Sequence, residues 1–237
     1  VMRDVIWEDA LRMKEDRPDM QLTQYVYHFT IGILLRMDIE APWNDKKVRH
    51  ALWLAMDNPG IAEDFYGGYG VLHTYPILPL YPDWYIPLEE FPEETQELYT
   101  HNPAKARQLL KEAGYEDGFD ITLNIRTREA DVYSIVKANW AEVGINLILD
   151  VREPGVHSSI ARSRAYKDGV ANGEYSRNVR EWIIRYHPTM PSKNYARVND
   201  PVLNENATKV EKAFLAGDDA EIARLIKEIQ PYLLDQA

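Results

Sequence analysis

The stretch that decides the fold is NPAKARQLLKEAGY at residues 102–115, which leads into the alternating run FDITLNIR at 119–126. Asn102 is a suitable N-cap for a helix that has Pro103 in its first position, and Gly114 can end that helix in the left-handed conformation. The apolar residues between these ends recur every three to four positions, so they share one face. The stretch therefore predicts a capped amphipathic helix followed by a half-buried strand.

The chain downstream of this stretch continues the alternation of helices and strands. A helix is predicted from about Glu129 to Val143, and a strand is predicted over Ile145–Val151. Residues His157–Gly173 are predicted to be helical at first and then a polar loop, and Ser176–Ile184 is a further strand candidate. This order predicts an α/β domain with crossover connections between its strands.

The two ends of the chain carry further periodic segments. Near the N-terminus they predict a helix over Asp4–Glu15 and extended segments over Met20–Met37 with a break near Gly32. Next come a helix capped by Asn44 or Asp45 and a short helix from Asn58-Pro59 to Gly67-Gly68. The C-terminal end predicts a helical pair over Asn204–Leu215 and Asp218–Asp235.

A long loop without periodicity lies between these segments, from Tyr69 to Glu90. Its neighbourhood is rich in proline and aromatic residues, and structureless loops of this length are often functional. Each of its aromatic residues either lines a cleft or anchors the loop on the protein, and the second is the simpler interpretation. These residues are Tyr69, Tyr75, Tyr81, Trp84 and Tyr85.

Composition excludes several classes of function. The 237 residues suffice for one large domain or two small ones, and no apolar run is long enough to cross a bilayer. The net charge of −11 argues against a nucleic-acid surface, and the absence of cysteine excludes disulfides and thiolate metal sites. The histidines lack metal-ligand spacing, and no nucleophile motif is present. We therefore expect no catalytic site, no metal and no cofactor.

Three further segments lie in a fixed order around the opening stretch: NDKKVRHALWLAMD at 44–57, EDFYGGYG at 63–70 and AEVGINLILDV at 141–151. Together they resemble the extracellular solute-binding proteins of family 5, over roughly residues 20–230. The resemblance implies an α/β fold like the C-terminal lobe of a periplasmic binding protein. Such a lobe has a mixed sheet flanked by helices, here with a long loop rich in proline and tyrosine.

The resemblance also implies that the chain is a fragment. Complete members of the family are about twice as long and have two lobes, and this sequence is similar to the C-terminal lobe alone. We therefore expect a single truncated lobe over 1–237. It would comprise an N-terminal helix and strands over about 1–40, an α/β body with cleft loops over 41–200, and the helical pair over 201–237.

The function implied by the resemblance is that of the solute-binding component of an ABC importer. Such a protein captures a small solute between its two lobes and delivers it to a membrane permease; here the solute would be oligopeptide-like, a sugar or an anion. The implied partners are the solute, the N-terminal lobe of the same protein and the permease subunits, with no nucleic acid. The protein would be extracytoplasmic, as a periplasmic protein or a cell-surface lipoprotein, and would meet the membrane only through the permease or a lipid anchor.

Two other functions compete with import. Some bacterial regulators carry a similar module, so the chain is alternatively the ligand-sensing domain of a transcriptional regulator. The third possibility, a hydrolase of small substrates, is opposed by the missing nucleophile and metal patterns.

The candidate ligand site rests on the segment Trp182-Ile183-Ile184-Arg185-Tyr186, which resembles the family motif Trp-x-x-Asp-Tyr. In peptide-binding relatives the aspartate pairs with the ammonium group of the ligand. Arg185 stands at that position here, and a cation would repel an ammonium and attract a carboxylate, a phosphate or sugar hydroxyls. The motif thus predicts an anionic or hydroxyl-rich ligand, unless Arg185 pairs with an acid of its own lobe or the match to the motif is shifted by one residue.

The neighbours of Arg185 extend the candidate site, and each has a simpler structural interpretation. Trp182 and Tyr186 offer a stacking platform or pack in the core. His187 donates to ligand or is solvated, and Arg180, which alternates with Trp182 on the predicted strand, faces the cleft or forms a salt bridge at its rim. The predicted ligand-binding residues are Trp182, Arg185, Tyr186, His187, Arg180 and Tyr69.

Overall fold

The computed structural model of the protein describes residues 7–23, 29–70, 72, 74, 77–174, 178–187, 189 and 193–236, without the side chains of 29–31, 173–174, 179–180, 182 and 184. In chain order the helices are α1 (Trp7–Asp16), α2 (Lys46–Ala55), α3 (Asn58–Gly60), α4 (Glu93–Glu97), α5 (Pro103–Glu112), α6 (Ala130–Ala141), α7 (Pro154–Ser163), α8 (Val179–Tyr186), α9 (Pro201–Ala216) and α10 (Asp219–Asp235). The strands are β1 (Phe29–Leu35), β2 (Phe119–Arg126), β3 (Ile145–Arg152) and β4 (Gly169–Glu174).

The four strands form one mixed sheet in the order β1-β4-β2-β3. Strand β2 runs parallel to both β3 and β4, whereas β1 runs antiparallel to β4. The helices α6 and α7 connect parallel strands, which is how parallel pairs are joined in α/β proteins. The predicted α/β class with a mixed sheet is confirmed.

The opening stretch forms the predicted helix and strand, α5 and β2. The Asn102 side chain accepts a hydrogen bond from the Lys105 amide at 3.0 Å, and Gly114 has a φ of 85° just beyond the helix. Glycine is also required at position 118, just before β2, because a Cβ added to Gly118 would lie 1.8 Å from the Gly144 carbonyl oxygen. The close approach of these two glycines lets β2 and β3 begin side by side.

The apolar side chains form two main cores. The first packs α2, α5 and α6 on one face of the sheet, and the second joins α8, α9 and α10 with the loop around Ile77. Ile121 and Leu123 of β2 are fully buried in the first core, and Ile226 of α10 is fully buried in the second. Burying such side chains contributes about 1.5–3 kcal/mol each, so each core is a stable unit of packing.

Basic side chains of α2 connect the first core to the end of α10. The Lys46 ammonium lies 2.9 Å from an Asp235 carboxylate oxygen, Arg49 Nε donates to the Gln236 carbonyl at 2.6 Å, and His50 Nε2 donates to the Asp235 carbonyl at 2.8 Å. Burial lowers the pKa of His50. Basic groups at this position complement the negative end of the α10 dipole and satisfy its terminal carbonyls.

The prediction of a strand over Ser176–Ile184 is wrong in its described part, because residues 179–186 form the helix α8. The Asn178 side chain accepts a hydrogen bond from the Glu181 amide at 3.0 Å and so caps this helix. Ile183 and Tyr186, three positions apart, share the buried face of α8 that packs in the second core. Helical packing against α9 therefore overrides the apparent alternation.

The prediction of a polar loop up to Gly173 is also wrong, because β4 occupies Gly169–Glu174. Its glycines and asparagine give it a low strand propensity, but it pairs with β1 on one side and β2 on the other. A Cβ at Gly169 would lie 3.0 Å from Leu35, so glycine suits this close packing. Long-range pairing, which local sequence does not show, creates this strand.

Two helix starts and the break in the first extended segment are also visible. Asp45, one of the two predicted caps, caps α2. Asp57, and not the predicted first residue Asn58, caps α3. The break near Gly32 is an irregularity inside the continuous strand β1, where its pairing register with β4 shifts. No helix in the described part of the chain is long and apolar enough to cross a membrane.

An ion-pair network joins the end of β1 to the segment after α8. Asp38 accepts hydrogen bonds from Arg36 Nε at 2.9 Å and from Arg197 at 2.6 Å, and Arg197 also donates to the Arg164 carbonyl at 2.7 Å. These bonds, first those from Arg36, lower the pKa of Asp38 to about 2. Arg197 has a φ of 56°, a strained value for a residue other than glycine, which the network helps to hold.

We predict that Asp38→Asn lowers the free energy of unfolding by about 1–2 kcal/mol and Tm by about 3–6 °C at pH 7. Because the folded pKa is depressed, the contribution of Asp38 is present above its unfolded pKa of about 3.9 and is lost as pH falls toward 2. The difference in Tm between variant and wild type, measured from pH 7 to pH 2, should therefore shrink below pH 4. The control is Asp19→Asn, which removes a similar but exposed pair with Arg17; an equal loss in both variants would contradict the prediction.

We predict that Asn178→Ala lowers Tm by about 2–4 °C, because α8 loses a capping bond that contributes about 1 kcal/mol. Asn178→Ser should retain most of the stability, since serine caps a helix equally well. Thermal unfolding followed by circular dichroism measures both variants. The prediction fails if serine and alanine are equally destabilising.

Candidate functional site

A cavity of about 780 Å³ lies between the two cores and follows the edge of β1. Residues 32–35 of β1 form one wall. Leu52 and Trp140 of the first core lie on a second side, and Tyr186 and Leu203 of the second core lie on a third. Cavities of this size suit small organic ligands, which bind in mostly apolar pockets with a few well-placed polar groups.

An aromatic pair on the first-core side forms part of the cavity wall. The rings of Trp53 and Tyr99 lie 5.4 Å apart at an interplanar angle of 59°. The indole Nε1 of Trp53 is buried and has no hydrogen-bond partner among the residues that the structure describes. The wall thus combines a large apolar surface with an indole donor.

The charged residues on the cavity wall are mostly basic. Among the described residues, four cations and two carboxylates line the cavity, although the chain as a whole has a net charge of −11. Arg185 is only 7% exposed, and the ammonium of Lys193 lies 3.3 Å from a carboxylate oxygen of Glu181 on the same helix as Arg185. The cations are Arg49, Arg185, Lys193 and Arg197, and the carboxylates are Asp38 and Asp200.

The structure brings two of the predicted site residues together in this cavity, Arg185 and Tyr186. Both lie in the last turn of α8, and Tyr186 also packs in the second core. Tyr186 therefore packs in the core, as one of its two predictions has it, and its role as a ligand platform stays a prediction. Burial near an apolar wall strengthens the interaction of a guanidinium with an anion.

The prediction that Arg180 and Trp182 alternate on a strand is wrong. Both residues belong to the helix α8, and two successive steps on a helix turn the chain by about 200°. They therefore lie on different faces of α8. Their side chains lie outside the part of the chain that the structure describes, so their role in ligand binding stays a prediction.

His187 and Tyr69 lie elsewhere and do not line the cavity. His187 is 8% exposed; its Nε2 lies 3.2 Å from a Glu211 carboxylate oxygen, and its Nδ1 accepts from the Thr189 amide at 3.2 Å. This side chain ties the end of α8 to α9. Tyr69 is exposed and packs against Trp7 with the ring centroids 5.8 Å apart.

The loop aromatics act mainly as anchors where they are described. Tyr81 and Trp84 stack with centroids 5.9 Å apart and pack against the second core with Tyr85. The Trp84 carbonyl accepts a hydrogen bond from Gln230 of α10 at 2.7 Å. Tyr75 lies outside the described residues.

Sequence reasoning missed several residues of the cavity wall, among them Trp53, Lys193 and Asn172. Trp53 carries a partial signal, because it lies in the family-like segment 44–57. Lys193 and Asn172 have no local signal, since the first follows an unpatterned segment and the second lies in the unpredicted strand β4.

Within the described ranges, no group of three or more acidic or histidine side chains is placed to hold a metal ion.

Comparisons with known proteins agree with this fold. The profile of the bacterial extracellular solute-binding proteins, family 5 Middle, matches residues 3–200. The periplasmic binding protein DppA of Helicobacter pylori, solved in complex with the peptide STSA, superposes with a TM-score of 0.74 at 17% identity, over 96% of this chain and 44% of that chain. The predicted similarity to periplasmic binding proteins is thus confirmed at the level of the fold.

Two curated relatives are similar in sequence. Heme-binding protein A of Haemophilus influenzae is 32% identical over 144 residues, which are 58% of this chain and 24% of that protein. The dipeptide-binding protein of Escherichia coli is 31% identical over 163 residues, 65% of this chain and 28% of that protein. The matches thus span about a quarter of the length of these relatives, which are binding proteins and not enzymes. The chain belongs to the bacterial extracellular solute-binding proteins of family 5.

Proposed function

We propose that this chain is the C-terminal lobe of the solute-binding component of an ABC importer, and that its solute is a small molecule with a carboxylate. The rest of the polypeptide supplies the other lobe. Membership of family 5 and the partial coverage of longer relatives support this proposal. The cavity between the two cores is the part of the ligand site that this lobe contributes.

The observation that carries the proposal is the buried guanidinium of Arg185 on an apolar cavity wall with an excess of cations. A guanidinium can bind both oxygens of a carboxylate with two parallel hydrogen bonds. Tyr186 beside it offers apolar surface at the same wall. A ligand ammonium would meet the same cations and be repelled.

The ligands named for the relatives share this chemistry. One relative binds heme, another binds dipeptides, and the structural neighbour holds a peptide. Heme carries propionate groups and free peptides end in a carboxylate, so an anionic carboxyl group is common to all three. The carboxyl group of these ligands supports a solute that carries a carboxylate. Its assignment to Arg185 rests on the positive charge of that side chain, because the peptide-binding relatives have an aspartate at the matching position.

The transport cycle then depends on closure of the two lobes. A solute that contacts both lobes stabilises the closed form, and that form docks on the permease. The protein acts outside the cytoplasm and reaches the membrane through the permease or a lipid anchor. The family name, extracellular solute-binding proteins, supports this location.

We predict that the complete protein binds N-acetylalanyl-leucine at least about tenfold more tightly than its C-terminal amide, because only the acid offers a carboxylate to Arg185. Arg185→Gln should abolish this difference, whereas Arg128→Gln, at an exposed site, should not change it. Isothermal titration calorimetry measures each affinity. Equal binding of acid and amide by the wild type, or tight binding of unmodified alanyl-leucine, would overturn the assignment of the solute class.

We further predict that residues 1–237 alone bind N-acetylalanyl-leucine at least about 100-fold more weakly than the complete protein. A single lobe offers only part of the contacts and leaves the ligand open to water. Calorimetry on the two polypeptides makes the comparison. Equal affinities would show that the second lobe takes no part in binding.

A further inference from the structure

Asn172 of β4 is a buried polar residue that the proposed function does not yet use. It lines the cavity, is only 8% exposed, and its side chain makes no hydrogen bond with any residue that the structure describes. Buried amides in proteins are nearly always hydrogen-bonded. An amide on a cavity wall that has no partner in the described part of the chain is therefore available to a ligand.

Other asparagines on the same sheet show what a paired amide looks like. The Asn124 side chain donates to the Asp150 carboxylate at 2.8 Å, and Asn146 donates to the Asp120 carboxylate at 2.9 Å. In both cases the partner lies directly opposite on the adjacent parallel strand. Among the side chains of β1 that the structure describes, Asn172 has no such partner.

A bulge in β1 lies directly opposite Asn172. Thr30 pairs with Gly173 and Ile33 pairs with Ala171, so two residues of β1, 31 and 32, stand opposite Asn172. A bulge of this kind interrupts the regular pairing, increases the local twist and redirects side chains. The two residues opposite Asn172 are isoleucine and glycine, and neither residue type has a polar side chain that could bind an amide.

Tyr133 of α6 holds this bulge in place. Its side chain is buried beneath the sheet, and its hydroxyl donates to the Gly32 carbonyl at 3.0 Å. Burial raises the pKa of Tyr133, so the hydroxyl remains protonated and remains a donor at physiological pH. Gly32 itself lines the cavity, which connects the bulge to the candidate site.

We propose that Asn172 binds an amide group of the solute and that Tyr133 is the positioning residue that fixes the bulge opposite it. An asparagine side chain offers a donor and an acceptor together, which matches the C=O and N–H of an amide. This inference rests on the proposed function and deepens it. Arg185 selects the carboxylate and Asn172 selects the amide, so the solute is an acylated amino acid or a peptide-like acid.

The test compares Asn172→Leu with the wild type in the complete protein, using two probes that share a carboxylate. N-acetylalanyl-leucine carries amide groups and decanoate carries none. The variant should lose about tenfold or more in affinity for the acetylated dipeptide and less than about twofold for decanoate. The ligand-free variant should melt no lower than the wild type, because leucine replaces an unpaired buried amide with an apolar group of similar shape.

Tyr133→Phe tests the positioning role. It removes only the hydroxyl, so it should weaken binding of the acetylated dipeptide by about threefold to tenfold while leaving decanoate binding unchanged. Tyr115→Phe is the matched control, since Tyr115 packs edge-on against Phe119 in the same core. A merely structural role of Tyr133 would weaken both probes equally.

The outcomes separate the two proposals. If the wild type binds neither probe, both the solute class and the role of Asn172 are overturned. If it binds both probes and Asn172→Leu binds them equally well, only the role of Asn172 is overturned. A lower Tm of the ligand-free leucine variant would also overturn that role, because it would show that Asn172 stabilises the fold.

Discussion

The contact between α2 and the carboxyl end of α10 is the interaction on which the arrangement of the protein depends. The two cores otherwise face each other across a cavity, so apolar packing alone does not fix their distance. Lys46, Arg49 and His50 supply positive charge and donors where the last carbonyls of α10 lack partners. On another side of the cavity, the Asp38–Arg197 ion pair ties β1 to the segment after α8. Apolar side chains thus form much of the cavity wall, and polar contacts connect the elements on either side of the cavity.

Charge is distributed unevenly between the surface and this cavity. The chain is strongly acidic, yet the described charged residues around the cavity are mainly arginine and lysine. An acidic surface with a positive recess repels anions at a distance but holds them strongly once inside, where water no longer screens the charges. Such an arrangement favours selectivity over a fast association rate.

Local sequence signals determined part of this fold and missed another part. Asn102 and Gly114 act at short range, so the α5–β2 unit is readable from its own residues. Helix α8 was mistaken for a strand because Arg180 and Trp182 alternate in a way that the packing of Ile183 against α9 overrides. Strand β4 depends on neighbours distant in sequence, which no local pattern reports.

The residues of the candidate site also divide into those that sequence patterns indicate and those that only the tertiary structure reveals. Resemblance to a family motif identified Arg185 and Tyr186, which the structure places on one cavity wall. It did not identify Asn172, because the residues that stand opposite this side chain are known only from the pairing between strands. His187 belongs to a contact between helices, which depends on the position of Glu211 in α9. Cross-strand register and helix packing are tertiary properties.

The central position of β4 has a consequence for how the chain folds. Residues 119–152 contain β2, α6 and β3, which are close in sequence and can form their parallel pair early. Strand β1 touches the described sheet only through β4, and the pair Phe29–Glu174 encloses nearly the whole sheet-forming part of the chain. Closing so long a segment is entropically costly, and contacts of high sequence separation form slowly. We therefore expect the edge strand, and with it the cavity wall, to be the last part of the sheet to assemble and the first to open.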